Sequence, residues 1–152
     1  MSPTTPSLKG RALRLLARRE HSRAELERKL AAFEEVPGTL AQALDVLQAK
    51  DFINEQRVVD SVVHRRAPRL GAGRVRQELE RKGLDREAVA KAVAALADTE
   101  LARARGVWQK KFGGAAAVDT ADRARQMRFL ASRGFSGEVV RRVANAPDDD
   151  AA

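Results

Sequence analysis

A motif that returns about every fifty residues constrains this chain more than any other feature. Around Leu26 the sequence reads Glu25-Leu26-Glu27-Arg28-Lys29-Leu30. Around Leu79 it reads Glu78-Leu79-Glu80-Arg81-Lys82-Gly83-Leu84, and around Leu130 Phe129-Leu130-Ala131-Ser132-Arg133-Gly134-Phe135. The leucines lie 53 and then 51 residues apart, and each is followed three positions later by a cation. Self-similarity at a fixed period marks stacked supersecondary units. A helical stretch precedes each copy: Ala12 to Arg19, Val58 to Arg66 and Leu101 to Phe112. Each copy leads into another periodic stretch, carrying Leu40, Leu44 and Leu47, then Val89, Val93 and Leu96, then Val139, Val140 and Val143. The plan is three tandem units of three helices.

Ala, Leu, Arg, Glu and Lys dominate, tyrosine is absent and aromatics make up 4% of the chain, a balance that favours helices over strands. The expected fold is all-α, with three tandem three-helix, helix-turn-helix-like repeats. A unit of about fifty residues buries too little apolar surface to be secure alone. Neighbours therefore pack on one another in an elongated, curved array. The expected divisions are a flexible start at 1–8, units at 9–57, 58–105 and 106–146, and an acidic disordered tail at 147–152. Ser22 with Glu25 forms a capping box, Thr39 with Gln42 repeats the pattern, and Asp85, Asp98, Asp119 and Ser136 are further N-cap candidates. Breaks fall at Pro37-Gly38, Pro68 to Gly73, Gly83, Gly113-Gly114 and Gly134.

Little in the chain suits chemistry. Without cysteine there is no disulfide, thiolate metal site or cysteine nucleophile. Two histidines, His21 and His64, are too few for most acid–base or metal constellations. No GxxxxGK[ST] or GxGxxG pattern occurs. Gly71-Ala72-Gly73, opening a helix, could receive a phosphate on its N–H groups, although an ordinary helix start is the plainer reading. No apolar run approaches the roughly 20 residues of a membrane helix, and the start does not resemble a signal peptide. The expectation is a cytoplasmic monomer that is not an enzyme, with no catalytic, cofactor-binding or metal-ligating residues, no cofactor and no membrane partner.

Charge is the informative signal. The chain holds 29 Lys+Arg against 21 Asp+Glu, and three of those acids, Asp148, Asp149 and Asp150, sit together at the end. A basic chain of this size is suited to polyanions, nucleic acid above all. No acid occurs between Asp60 and Glu78, where Arg65, Arg66, Arg69, Arg74 and Arg76 cluster. Arg18, Arg19 and Arg23 form a second group, Lys110 and Lys111 a third, and Arg123, Arg125 and Arg128 a fourth. These thirteen are the candidate DNA- or partner-binding residues, because guanidinium forks suit phosphate and carboxylate alike. Helix amphipathicity accounts for some of them as a solvated face. Trp108 beside Lys110-Lys111 reads as a core side chain before a base-stacking one.

Four runs together resemble the RecX family of recombination regulators: Leu16-Ala17-Arg18-Arg19-Glu20-His21-Ser22-Arg23-Ala24-Glu25-Leu26-Glu27-Arg28-Lys29-Leu30; Phe52-Ile53-Asn54-Glu55-Gln56-Arg57; Gly73-Arg74-Val75-Arg76-Gln77-Glu78-Leu79-Glu80-Arg81-Lys82-Gly83-Leu84; and Phe129-Leu130-Ala131-Ser132-Arg133-Gly134-Phe135-Ser136. They span roughly residues 10–145 in matching order. The chain departs from the pattern at Val58, where the family tends to carry an aromatic. The resemblance implies three tandem three-helix repeats. It also implies binding to the RecA recombinase along the groove of its nucleoprotein filament, with inhibition of ATP hydrolysis, strand exchange and filament growth. Many such proteins bind DNA as well, so weaker electrostatic contact with single- or double-stranded DNA is expected. The alternative is a stand-alone helix-turn-helix-like DNA-binding protein.

Overall fold

The computed structural model describes residues 5–145, and among them every regular element is helical. The first unit comprises α1 (Leu8–Arg18), α2 (Arg23–Leu30), a short 3-10 turn (Ala31–Phe33) and α3 (Thr39–Ala49). The second comprises α4 (Glu55–Arg66), α5 (Ala72–Arg81) and α6 (Arg86–Ala97), and the third α7 (Glu100–Phe112), α8 (Thr120–Ser132) and α9 (Gly137–Asn145). None of these helices is long and apolar enough to cross a membrane.

The repeat frame is a packing frame. Leu26, Leu79 and Leu130 are each fully buried on the middle helix of their unit. Around them sit three separate apolar clusters: Ala12, Leu30, Leu40, Leu44, Leu47 and Ile53 about Leu26; Val58, Val59, Val62, Val75, Val89 and Leu96 about Leu79; Ala104, Trp108, Phe135, Val140 and Val143 about Leu130. Val58 is buried in the second cluster.

Local chemistry explains most helix starts. Ser22 Oγ accepts from Glu25 N, and Glu25 Oε1 accepts from Ser22 N, which completes the capping box. Asp85 and Asp119 accept from the third residue of α6 and α8, and Ser136 Oγ accepts from Val139 N. Asn54 and Ser7 do the same for α4 and α1. Two expected caps fail. Thr39 is already inside α3, its hydroxyl donates back to Val36 O, and Gly38 in a left-handed conformation takes the cap position. Asp98 ends α6, and α7 starts after Thr99 without a side-chain cap.

The expected unit edges at 57/58 and 105/106 fall inside α4 and α7, because a cap or tight turn lies just before each of those helices. Ser7 likewise puts the start of α1 inside the stretch read as flexible, while residues 146–152, the acidic tail among them, lie outside the described residues.

Candidate polyanion interface

The three middle helices meet end to end. Gly71 N and Gly73 N, at the start of α5, donate to Arg133 O (2.7 Å) and Gly134 O (3.1 Å), at the end of α8. At its other end α5 offers Lys82 O to Ser22 Oγ (2.5 Å) and Arg81 O to Arg28 Nη2 (2.9 Å), both from α2. Partial negative helix C-termini thus face partial positive N-termini at both seams. Gly134 and Gly71 make the upper seam possible. Gly134 has φ +90°, and a Cβ there would lie 2.4 Å from Arg74 Cγ, whereas one on Gly71 would lie 2.4 Å from Gly134 O.

This arrangement changes the meaning of Gly71-Ala72-Gly73. The N–H groups that could have received a phosphate already have partners. Two carbonyls of α8 take the glycine donors, and the buried Glu100 carboxylate accepts from Ala72 N at 3.0 Å. The anion at this helix start is part of the protein.

Arginines lock both seams. Arg57, early in α4, donates to Glu20 Oε1 (3.0 Å), Asp51 Oδ2 (2.8 Å) and Asp51 O, tying the second unit to the ends of α1 and α3. Arg103, early in α7, donates to Ala67 O (2.8 Å), Leu70 O (2.7 Å) and Leu96 O (3.0 Å), the corresponding ends of α4 and α6. Burial lowers the Arg103 pKa from its ordinary value, against the attraction of Glu100.

Beside the lower seam a groove of about 380 Å³ opens between α2 and α5, lined by Glu25, Arg28, Arg66, Leu70, Arg74, Glu78, Arg81 and Lys82. Five cations face two carboxylates there. Glu25 is 7% exposed, and burial by itself would raise its pKa. The Arg19 guanidinium at 2.7 Å, the Ser22 N–H and the Lys82 ammonium at 3.2 Å overcome that and hold it down at about 2. Arg66 Nε binds Glu78 at 3.0 Å, and Arg74 Nη1 binds Ser132 O at 2.9 Å. Next to the groove His21 is buried, with Nδ1 3.0 Å from Arg19 O and Nε2 3.1 Å from Lys29 Nζ. Burial, with Arg19 and Lys29 close by, lowers its pKa and so favours the neutral imidazole, whose two ring nitrogens face the carbonyl and the lysine.

The arginines grouped together in sequence are divided by the fold. Arg66 and Arg74 reach the groove while bonding to protein partners, whereas Arg65, Arg69 and Arg76 are exposed outside it. Arg76 lines a second hollow with Glu80, Arg86 and Val89. Arg18 is exposed at the end of α1, and Arg19 is committed to Glu25. Arg23 binds Asp45 (2.7 Å), Gln48 (2.9 Å), Glu27 (3.1 Å) and Ala41 O (3.3 Å), so it fastens α2 to α3. In the third unit Lys110, Lys111, Arg123, Arg125 and Arg128 are all exposed, with Arg125 paired to Asp122 (2.7 Å) and Arg123 bonded to Asn145. Trp108 is in the core, its Nε1 donating to the buried Gln126 (2.9 Å), whose amide in turn holds Ala115 O (3.1 Å) in the Gly113–Val118 loop.

The sequence reading missed Arg28, Arg81 and Lys82. They lie in the repeated Glu-Arg-Lys stretch, where a search for acid-free intervals passes over them; their signal was the repeat itself.

Family models described as the first, second and third three-helix domains of RecX match residues 9–51, 54–93 and 98–144. The regulatory protein RecX of Leptothrix cholodnii is 54% identical over 144 residues, covering 95% of this chain and 91% of that one. The regulatory protein RecX of Herminiimonas arsenicoxydans is 45% identical over 150 residues, 99% of each chain. Among solved structures, RecX from Lactobacillus salivarius superposes with a TM-score of 0.76 at 18% identity, covering 93% of this chain and 94% of that one, a likeness of fold.

Proposed function

Because the chain belongs to the RecX family of regulatory proteins, we propose that it binds the RecA recombinase filament and slows its ATP hydrolysis, strand exchange and growth. The array lies in the filament groove, spans neighbouring recombinase subunits, and presents guanidinium groups to acidic protein surfaces or to the DNA backbone. The observation that carries this reading is the cationic groove at the lower seam, where residues of two units, Arg28 from one and Arg66, Arg74, Arg81 and Lys82 from the next, converge. Such a surface suits a long polyanion that touches several units at once. Work in the bacterial cytoplasm as a monomer fits the same reading.

The test is to add the chain to a preformed recombinase–single-strand filament and follow ATP hydrolysis. Hydrolysis slows with the native chain, and several-fold more of an Arg28→Gln/Arg81→Gln variant is needed for the same effect. If hydrolysis stays unchanged while the chain binds naked duplex, the protein is instead a stand-alone DNA-binding module.

A further inference from the structure

The third unit carries an aromatic and cationic surface separate from the groove. Phe112, at the end of α7, and Phe129, on α8, meet edge to face with ring centroids 5.5 Å apart and planes at 84°. Both rings are half-buried. Cations stand over them: Lys111 Nζ 5.4 Å and Arg133 Cζ 4.9 Å from the Phe129 centroid, and Arg125 Cζ 5.1 Å from that of Phe112. Arg125, Phe129 and Arg133 are four residues apart and share one helical face. The sequence around the pair holds no acid from Leu101 to Val118 or from Arg123 to Gly137. The carboxylate that does reach this surface, Asp122, is bonded to Arg125 and to Val118 N.

Alternating rings and cations of this kind have a specific chemical complement. Duplex DNA hides its base faces, so it can use the cations alone. A single strand offers base faces for the rings and a phosphate on either side of each base. An exposed cation–ring contact is weaker than a base–ring stack, so a base can replace a guanidinium over the ring while the guanidinium swings to the phosphate. We propose that Phe112 and Phe129 form a nucleobase-stacking surface for single-stranded DNA, with Lys111, Arg125 and Arg133 holding the flanking phosphates. This deepens the filament reading by assigning the single strand to the third unit, and it rests on that reading only for its setting in the cell.

The experiment measures binding of the full chain to a fluorescein-labelled oligothymidine and to a duplex of equal length, across a range of salt. Phe129→Leu keeps the apolar volume and removes the π face. It should weaken oligothymidine binding about tenfold, with the salt slope and duplex binding unchanged. Lys111→Gln should flatten the single-strand log–log salt slope by about 0.7. Oligothymidine binding equal to that of the native chain, or an equal loss for single strand and duplex, overturns the proposal. Should Phe129→Leu lose its helical signal, photocrosslinking of the native chain to a 5-bromodeoxyuridine oligonucleotide decides. Crosslinks at Phe112 or Phe129 are expected, and crosslinks confined to the first two units overturn it. Recombinase ATP hydrolysis does not enter these measurements, so failure of the filament reading is seen separately.

Discussion

The two seams of this molecule join equivalent helices in unlike ways. Between the first and second units the contacts are made by side chains: Glu25 with Lys82, Ser22 with the Lys82 carbonyl, Arg28 with the Arg81 carbonyl, and Arg57 with Glu20. Between the second and third units main chain meets main chain, at Gly71 to Arg133 and Gly73 to Gly134, and the side chains that cross, Arg103, Arg74 and Glu100, bond to backbone groups of the neighbouring unit rather than to an opposite charge. The same repeat has found an ionic and a backbone solution to one geometric problem. An ionic seam depends on pH and salt, whereas a backbone seam depends on the absence of a side chain.

The sharpest way to break the comparison is steric. Gly134→Val adds a side chain in a left-handed conformation and against Arg74, so it should cost about 2–5 kcal/mol and release the upper seam. Thermal unfolding would measure the loss, and hydrogen exchange at Gly71 and Gly73 would locate it. Glu25→Gln should cost less, about 1–3 kcal/mol, by leaving Lys82 and Arg19 without their carboxylate, and exchange at Gly71 and Gly73 should stay slow.

Acid separates the seams further. Glu25 is depressed in the folded chain, so its contribution is complete above the ordinary glutamate value near 4.5 and is lost as pH falls toward about 2. The lower seam should therefore loosen across that window while the main-chain bonds of the upper one, which carry no titrating proton, hold. Exchange at Ala24 and Gly83, compared with Gly71 and Gly73 over the window, would sharpen the contrast. Loosening of both seams together would erase it. The smallest effect belongs to Arg18→Ala: an exposed residue outside both seams should change stability by under about 0.5 kcal/mol.

Leu26, Leu79 and Leu130 announced three cores because a core residue must recur wherever its unit recurs. Capping was legible where the side chain acts on its own helix, as at Ser22, Asp85 and Asp119. It was not legible at Thr39, where Gly38 sets the backbone, or at Asp98, which the preceding helix absorbs. The candidate surface was harder to read because charge along a chain differs from charge in space. Arg66 lies in an acid-free interval, yet folding brings Glu78 to it, and Glu100 arrives at Ala72 from the next unit. Arg28, Arg81 and Lys82 sit among acids in sequence but converge on one groove. The Phe112–Phe129 pair joins residues of two helices, and no spacing within either one foretells it.

The end-to-end seams also bear on copy number. At the position where the second and third units place Gly83 and Gly134, the first unit has Leu30, and its middle helix runs straight into the 3-10 turn Ala31–Phe33. At the opposite terminus α8 begins on Asp119, whose carboxylate caps its own helix and, unlike the Ser22 hydroxyl, has no hydrogen to give to an incoming carbonyl. Head-to-tail contacts that repeat without closing generate open fibres. The two outer ends of the series, a leucine at one and an aspartate at the other, thus lack the glycines and the serine that build the two internal seams.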